Sequence, residues 1–504
     1  MPTDHNIKQT RIIAVMCLLS VMTGLAVLIN TKIVQLIFHM ADSAFSKSLD
    51  RSYWINGINC AATDIIIAGS AFSLYYFYPS ISRGKTFFIM STAFVLHFYY
   101  EVIINAVNMP LCDDFGSVMT FLNKFYMSGS MHEKISLLGS QFFETRLVVF
   151  RGICLAYTGI TGEINFSALL FISSLFIFGI AYLLFKSVKQ KGDYKYLMFA
   201  IIIILLFQFQ YHSGIFFLTG GMPKFCTLFF SIAAFNFLPM NTKASFAISL
   251  LCAILSALSF GNGILCFLIG FLFLLNKKKY LFAGIWSLVS LLFLFWYFHG
   301  YSLTLSESIS LHSITRTFLY GLVFLGNAMQ FIHTIEIPII TGILIWGAMI
   351  LLTVKKYYKQ NPIIYYTLVF IILSSLLAAP FRLHETEGLE RALMTHYGIY
   401  SMVAICCCII GMIEVFVSEK NISKIITRVI FVAMMYHLGS DLIFFPEVNV
   451  RKNNLTNCVY PWLKYKPTDS APPCSYFIAD PDDAGIIISQ SEKLNIYHLP
   501  DLKK

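Results

Sequence analysis

The sequence predicts an all-α membrane protein that crosses a bilayer about thirteen times. The first observation behind this prediction is composition: 57% of the 504 residues are hydrophobic and only 12% are charged, whereas an average soluble protein has roughly 25% charged residues. The second observation is that apolar runs of about 18–22 residues, the length of a membrane-spanning helix, recur along the chain. Together they exclude an ordinary soluble domain.

The predicted spans follow one another with mostly short loops between them. The first apolar run lacks the small-residue cleavage site of a signal peptide and is predicted to be a retained span. The apolar segment 318–332 is short for a full crossing and is interpreted as a re-entrant or interfacial helix, although a crossing stays open. The predicted spans lie near residues 11–30, 59–78, 86–107, 166–186, 196–217, 223–239, 245–260, 262–276, 280–298, 338–354, 363–379, 395–415 and 423–445.

Basic residues predict the orientation of the chain. Lys and Arg concentrate in alternate loops, and short basic loops usually lie on the cytoplasmic side. This assignment places the N-terminus inside, and it places the loop 108–165 and the C-terminal segment outside. The net charge of +10 is explained by topology, so nucleic acid is not an expected partner. The basic residues are Arg83, Lys85, Lys186, Lys189, Lys191, Lys195, Lys243, Lys277, Lys278, Lys279, Lys355, Lys356, Lys359, Lys420 and Lys424.

The chain is predicted to form two domains. Residues 1–446 make the transmembrane domain, which carries the outer loop 108–165, and residues 447–504 make a small outer domain. The second domain is polar and contains a strand-like run at Gly485–Ile488. In an oxidising compartment its Cys458 and Cys474 are expected to form a disulfide worth roughly 3 kcal/mol, with two free thiols as the alternative.

Two adjacent acids, Asp113 and Asp114, follow a predicted span at the start of the outer loop. One carboxylate is predicted to act as general base on an acceptor hydroxyl, while its neighbour orients it or binds a cation. Acids are also favoured at helix N-termini, so a helix cap is the alternative.

Glu144, Arg146 and Arg151 come about thirty residues later in the same loop. Arginine side chains suit the oxygens of a phosphate, because the planar guanidinium donates two parallel hydrogen bonds. All three residues are therefore predicted to bind substrate. Arginines that snorkel to the membrane surface are the alternative.

Further candidates lie at the outer ends of later spans. Lys224 follows two glycines, and Asn262 lies in the non-helical break Phe260–Gly263, a feature that often contacts polar ligands in membrane proteins. A plain turn is the alternative for the break, and a solvated loop is the alternative for residues 380–397. Within that loop the predicted phosphate or sugar contacts are Arg382, Arg391, His396 and Tyr397.

Polar residues elsewhere give no predicted metal site. His384 has acidic neighbours but lacks a third ligand, and the consecutive cysteines 406–408 cannot converge on one ion. Asp64, His97 and Glu101 fall within predicted spans, where ionisable groups are functional candidates. A transporter is therefore one alternative function.

The order of these pieces resembles the bacterial multi-spanning glycosyltransferases of the GT-C architecture, which use polyprenyl-phosphate sugars. The resemblance covers about residues 86–400, and the Phe that follows Asp114 favours Asp114 as the base. Relatives often read Asn-Glu-His-Arg where this chain has Phe143-Glu144-Thr145-Arg146, and Arg-Tyr where it has His396-Tyr397. The matching stretches are Asp113-Asp114-Phe115, Gln141–Arg146 with Arg151, Ser259–Gly263, Leu325–Asn327 and the loop from Arg382 to Tyr397.

Chain length, span count and the outward loop are also similar to the phage-borne serotype-converting glucosyltransferases that decorate O-antigen. This resemblance implies inverting transfer of a sugar, glucose in those enzymes, from undecaprenyl phosphate to a surface polysaccharide on the periplasmic side of the bacterial inner membrane. The implied partners are donor, acceptor polysaccharide and membrane lipid, together with a flippase and a donor-synthesising transferase. No cofactor is assigned with certainty, and a divalent cation is compatible with the site. An O-antigen polymerase or ligase and a lipid-linked glycan transporter are the alternatives.

Overall fold

Helices make up nearly the whole of the described chain. The structure is a computed structural model that describes residues 21–22, 24, 51–77, 82–240, 242–302, 311–331, 334–382, 388–465 and 481–500. Within these ranges the only strands are Gln141–Phe142 (β1) and Thr145–Arg146 (β2), an antiparallel pair in which Phe142 lies opposite Thr145. The first predicted span, 11–30, lies almost wholly outside the described residues.

Nine helical stretches of the described chain are long and apolar enough to cross a membrane, and three shorter apolar helices accompany them. The prediction of an all-α polytopic membrane protein is therefore confirmed. In chain order the helices are α1 Arg51–Phe77, α2 Arg83–Asn105, α3 Phe121–Met127, α4 Met131–Leu138, α5 Val148–Thr161, α6 Phe166–Ser187, α7 Asp193–Leu206, α8 His212–Phe216, α9 Leu218–Phe237, α10 Lys243–Ser259, α11 Leu265–Asn276, α12 Tyr280–Phe298, α13 Leu311–Gly326, α14 Glu336–Val354, α15 Tyr357–Gln360, α16 Pro362–Arg382, α17 Gly398–Phe416, α18 Glu419–Asn454, α19 Tyr460–Tyr465 and α20 Pro481–Lys493.

The helices form two compact units. Unit 1 contains residues 1–105, 188–212 and 416–451, so among the described residues it unites α1, α2, α7 and most of α18. Within it, α2 packs against both α1 and α7. The Phe98 ring contacts the rings of Phe207 and Phe209, with centroid distances of 5.3 and 5.2 Å.

Unit 2 contains residues 106–187, 213–415 and 452–504. Helix α9 is its most buried long helix and packs against α6, α10 and α16. The N-terminal turn of α9 comes very close to the backbone before it, since a Cβ atom added to Gly221 would lie 1.6 Å from the Gly214 carbonyl oxygen. Only glycine fits there, and this close approach positions the start of α9.

The outer loop 108–165 is folded. It contains a π-helical turn, Phe115–Thr120, followed by α3, α4, the β1–β2 hairpin and α5. Its apolar side chains share one core with the C-terminal segment, in which Leu122, Phe150, Val459 and Tyr497 are all fully buried. The loop is therefore a packed layer and not a flexible connection.

Hydrogen bonds join the same two segments. The Asn123 side chain donates to the Ile487 carbonyl (3.0 Å) and accepts from the Ser491 hydroxyl (2.8 Å). The Tyr497 hydroxyl donates to the Asn108 carbonyl (2.9 Å). The described residues from 452 onward thus belong to the same compact unit as the outer loop.

Helix α18 runs through the predicted domain boundary, with Pro446 inside the helix. The predicted strand at Gly485–Ile488 is wrong, because these residues lie within α20. Ala484, Ile488 and Ser491 are buried on one face of that helix, a helical spacing that the short apolar run concealed. Cys458 is disulfide-bonded, while its predicted partner Cys474 lies outside the described residues.

Two further predicted segments differ in detail. The predicted span 196–217 is interrupted, because α7 ends at Leu206 and helix resumes only at His212. In the gap, the Phe209 backbone N–H donates to an Asp441 carboxylate oxygen at 3.0 Å, which replaces a helical hydrogen bond. The segment 318–332 lies mostly in α13, a helix of 16 residues.

Candidate functional site

The acid pair lies where the chain enters the π-helical turn of the outer loop. Cys112, directly before Asp113, has a φ of 43°, and Phe143, directly before Glu144, has a φ of 47°. Non-glycine residues in this left-handed region cost about 1–3 kcal/mol each and persist only where the surrounding structure enforces them. Asp113 and Glu144 therefore each follow a residue whose backbone conformation is strained.

Asp114 is buried and fully engaged. One carboxylate oxygen accepts hydrogen bonds from the Thr219 backbone N–H (2.8 Å) and hydroxyl (2.6 Å), and the other accepts from the Leu111 N–H (3.1 Å). Burial raises the pKa of Asp114 to about 7, against the opposing effect of these hydrogen bonds. Asp114 thus ties the π-helical turn to the start of α9.

Asp113 is only half-buried, and its carboxylate accepts no hydrogen bond within the described part of the chain. Burial raises the pKa of Asp113 above its usual value, while the nearby positive charges of Lys224 and Arg382 lower it. A carboxylate with free lone pairs beside two cations can accept a proton from a hydroxyl. Of the two acids, the geometry therefore favours Asp113 as the predicted base, whereas the resemblance in sequence order favours Asp114.

The Lys224 ammonium is held rigidly near this acid. Its Nζ donates to the Gly220 carbonyl oxygen at 2.7 Å. The same atom lies 4.9 Å from the centre of the Phe260 ring and 5.4 Å from that of Tyr397. Aromatic faces stabilise a desolvated cation in this arrangement, so these contacts fix the position of the Lys224 side chain.

A cavity of about 240 Å³ in unit 2 brings together several of the predicted residues. Most of its lining is aromatic or aliphatic, with a few polar groups, as in sites that bind small organic ligands. We call this space the central cavity. It is lined by Glu144, Thr145, Phe260, Gly261, Asn262, Ile264, Tyr297, Phe298, Tyr301, Phe324, Ser374, Leu377, Ala378, Phe381, Arg382, Tyr397 and Tyr400.

The polar groups of the central cavity are paired with one another. Arg382 Nη2 lies 3.6 Å from Glu144 Oε2, and both side chains are about 30% exposed, so a ligand can reach them. The Asn262 amide donates to the Ser374 hydroxyl (2.9 Å) and the Tyr400 hydroxyl (3.1 Å). The cavity therefore offers one guanidinium, one carboxylate and an oriented amide.

An apolar groove adjoins the central cavity. It has a volume of about 450 Å³, lies between α11 and α12, and shares Ile264 and Phe298 with the cavity lining. A hydrocarbon chain fits such a surface, because burying apolar area is favourable and asks for no polar partner. The groove is also lined by Leu265, Phe267, Leu268, Phe271, Trp286, Ser287, Ser290, Leu291 and Leu294.

Arg146 is occupied by backbone carbonyls. Its Nε and Nη2 donate to the carbonyl oxygens of Tyr297 and His299, both at 2.7 Å, and Nη1 donates to that of Gly139. The N–H groups that would bind a phosphate instead donate to carbonyls at the end of α12, and they join the hairpin to that helix. This geometry favours a structural role for Arg146, whereas the sequence predicts a substrate contact.

Arg151 is similarly engaged and only 3% exposed. Its Nη1 donates to the Ser140 carbonyl (2.8 Å) and hydroxyl (2.9 Å) and to the Leu137 carbonyl (3.1 Å). The guanidinium also lies 4.9 Å from the centre of the Phe121 ring. Arg151 therefore fixes the turn between α4 and the hairpin and does not line the central cavity.

Replacing Arg146 by alanine is expected to lower the free energy of unfolding by about 1.5–3 kcal/mol, because three backbone carbonyls, two of them in partly buried contacts, lose a charged donor. The apparent melting temperature of the purified protein in detergent measures this loss. Arg428→Ala, which changes an exposed arginine of α18, is the control and should leave the melting temperature unchanged. Unchanged stability in Arg146→Ala, together with weakened use of donor, would return Arg146 to the substrate contacts.

The remaining predicted residues of the loop 380–397 separate into two groups. Tyr397 lines the central cavity, and its ring contacts that of Phe324 at a centroid distance of 5.0 Å. Arg391 and His396 do not line it, although the Arg391 charge acts on the His396 ring. Residues 383–387, with His384, lie outside the described residues.

Several site residues were not predicted. Thr219 orients Asp114, the Tyr301 hydroxyl donates to the Glu144 carbonyl at 2.6 Å, and Tyr400 holds Asn262. The Thr-Gly-Gly order at residues 219–221 was a readable signal for the first, since glycines mark close backbone approach. Tyr301 and Tyr400 carry no local signal. Among described residues, the groups with metal-ligand spacing include none of Asp113, Asp114 and Glu144.

Comparisons with protein-family models, curated proteins and solved structures find no match for this chain.

Proposed function

We propose that this protein is a membrane glycosyltransferase. It moves a sugar from a polyprenyl-phosphate donor to a hydroxyl of a surface polysaccharide such as O-antigen. The observation that carries the proposal is the central cavity, in which aromatic faces and the Arg382 guanidinium meet next to an apolar groove. A lipid-linked sugar phosphate has the matching parts: a sugar ring, an anion and a hydrocarbon tail.

The chemistry assigns one role to each group. The acceptor hydroxyl oxygen attacks the anomeric carbon of the sugar, and its proton passes to the Asp113 carboxylate. The bond between that carbon and the phosphate oxygen breaks, and the polyprenyl phosphate leaves with the electron pair. Arg382 and Lys224 stabilise the negative charge that develops on the leaving phosphate. Attack opposite the leaving group inverts the configuration of the sugar.

The groove between α11 and α12 supports a donor that stays in the membrane. Its lining is almost entirely aliphatic and aromatic, and it continues from the cavity through Ile264 and Phe298. A prenyl chain placed there would hold its phosphate at the cavity entrance. A soluble nucleotide sugar would gain nothing from this surface, so the groove favours a lipid-borne substrate.

We also propose where the protein lies in the cell. The chain is a polytopic protein of the bacterial inner membrane with about thirteen spans, and the outer loop and residues 447–504 face the periplasm because basic loops alternate with them. The donor must then be made and carried across the membrane first. We therefore propose a donor-synthesising transferase and a flippase as functional partners.

A polymerase that joins lipid-linked glycans is the nearest alternative. Such an enzyme would depend on the outer arginines and would tolerate loss of the acid pair. Arg146 and Arg151 spend their donors on backbone carbonyls, whereas Asp113 is accessible beside two cations. These contacts favour sugar transfer over polymerisation.

Expression in a bacterium that makes both an O-polysaccharide and polyprenyl-phosphate sugars tests the function directly. We expect mass spectrometry of the polysaccharide to show one added sugar per repeat unit. Cells that lack the donor-synthesising enzyme are the control and should show none. Longer polysaccharide chains without an added sugar would instead identify a polymerase.

A further inference from the structure

A second group of polar side chains lies inside unit 1, within the membrane-spanning helices. Helix α1 contributes Asp64 and Cys60, α2 contributes His97, and α18 contributes His437 and Asp441. Asp64, His437 and Asp441 are each at most 1% exposed. Ionisable groups are costly in a bilayer, so a cluster drawn from three spans is a functional candidate.

The side chains of His437, Asp441 and Asp64 are held in the same way. His437 Nδ1 lies 2.8 Å from the Ile204 carbonyl oxygen, and Asp441 Oδ1 accepts the Phe209 N–H at 3.0 Å. Asp64 Oδ1 lies 3.0 Å from His97 Nδ1. In each case one polar atom is held by a neighbour while the other, Nε2 or Oδ2, points to a common centre. Metal ligands in proteins are oriented by such partners.

The atoms that meet at the centre are all acceptors. The Ile204 carbonyl can only accept, so Nδ1 of His437 carries a hydrogen, and Nε2 of the neutral ring presents a lone pair. That lone pair lies 3.3 Å from Asp441 Oδ2 and 3.5 Å from Asp64 Oδ2. Asp64 Oδ2 is buried and has no hydrogen-bond partner within the described residues. Either a proton or a metal cation must therefore lie between these three atoms.

The separations identify the kind of cation. A charge-assisted hydrogen bond from a protonated histidine would be about 2.7–2.9 Å long, shorter than both distances. Ligands at about 2.0–2.1 Å from a tetrahedral zinc ion are about 3.3–3.4 Å apart, which matches the observed separations of 3.3 and 3.5 Å. The Cys60 thiol donates a hydrogen bond to Asp441 Oδ2 at 3.8 Å and so orients this carboxylate, and three protein ligands leave the fourth position of a tetrahedral ion to water.

We propose that Asp64, His437 and Asp441 bind a zinc ion that joins α1 to α18. An imidazole ligand suits Zn²⁺ better than Mg²⁺ or Ca²⁺, which prefer all-oxygen sites. The two carboxylates neutralise the dication, so neither charge is buried alone. His97 is the positioning residue, because it orients Asp64 while its own Nε2 lies 3.6 Å from Glu101.

The first test uses the parent protein, purified in detergent after removal of any affinity tag. Elemental analysis should find one zinc ion per chain, and that zinc should survive dialysis without chelator. After exchange of zinc for Co²⁺, the absorption spectrum should show the visible bands of a tetrahedral cobalt ion. Protein grown in zinc-supplemented medium that contains no zinc would overturn the proposal, whatever the variants do.

Variants then test the ligands. His437→Gln should reduce zinc to background, whereas His132→Gln, which changes an exposed histidine of the outer loop, should not. Cys60→Ser should keep its zinc, because serine can still donate a hydrogen bond to Asp441 Oδ2. His97→Ala should weaken zinc affinity by about 10–100-fold. Zinc content that is unaffected in His437→Gln or Asp441→Asn would place the ion elsewhere and refute the site.

Discussion

Replacing Asp113 by asparagine is expected to slow sugar transfer by about 10²–10⁴-fold, because the amide keeps the shape of the side chain but cannot accept the proton. The protein should still insert normally, since the Asp113 side chain makes no hydrogen bond within the described residues. The measurement is the amount of sugar added to the polysaccharide at equal levels of membrane protein.

Asp114→Asn is the matched comparison. Asn would place an NH₂ group against the Leu111 N–H, where the carboxylate now accepts a hydrogen bond at 3.1 Å. The Asp114→Asn variant should therefore have a free energy of unfolding lower by about 1–3 kcal/mol, the cost of a buried polar group left unsatisfied. Full transfer activity in Asp113→Asn would show that the acid pair serves only as a helix cap.

Opposite pH dependences also separate the two acids. The active form of Asp113 is ionised, so the transfer rate should fall as pH drops through its raised pKa, and this limb should disappear in Asp113→Asn. Asp114 has a folded-state pKa of about 7, above its ordinary value of 3.8. Asp114 therefore adds to the free energy of unfolding at pH values below 3.8, and this contribution is lost as the pH rises through about 7.

Arg382→Ala is expected to reduce kcat/KM for the lipid-linked donor by about 10–100-fold, the size of a charge-assisted contact of roughly 1.5–3 kcal/mol. Lysine should restore only part of this loss, because it lacks the planar fork that matches two phosphate oxygens. The assay is transfer in reconstituted membranes with varied donor concentration.

The Arg382 side chain is 28% exposed, so its removal should leave the melting temperature close to that of the parent. This separates it from Arg146→Ala, in which stability falls. Arg428→Ala, at an exposed site on α18, controls for loss of positive charge alone. If Arg382→Ala uses donor as well as the parent, another cation must hold the phosphate and the assignment fails.

Long apolar helices were the part of the fold that could be predicted. The span predicted at 280–298 has the bounds of α12, and the one predicted at 86–107 corresponds to α2. A bilayer span needs only local composition, because its length is set by the membrane. Amphipathic elements such as α5 were missed, since their apolar faces have meaning only against a packing partner.

The functional site was less predictable for the same reason. Arg146 is a plausible phosphate contact until the carbonyls of Tyr297 and His299, about 150 residues away, are placed around it. His437 and Asp441 have the same four-residue spacing as His97 and Glu101, and this spacing places both side chains on one face of a helix. Their partner Asp64, more than 370 residues earlier, emerges only from the packing of the helices.

Because the outer loop and the C-terminal segment share one core, that core can form only after both segments have been synthesised. Asn123 leaves the ribosome 364 residues before Ile487, whose carbonyl it contacts. At about 5–20 residues per second this interval is on the order of tens of seconds, during which the loop's apolar residues have no C-terminal cover. The folded outer loop is therefore completed last, although its acid pair is synthesised early. Until the final helix is translated, the nascent chain depends on other surfaces, such as the membrane or chaperones, to shield that core.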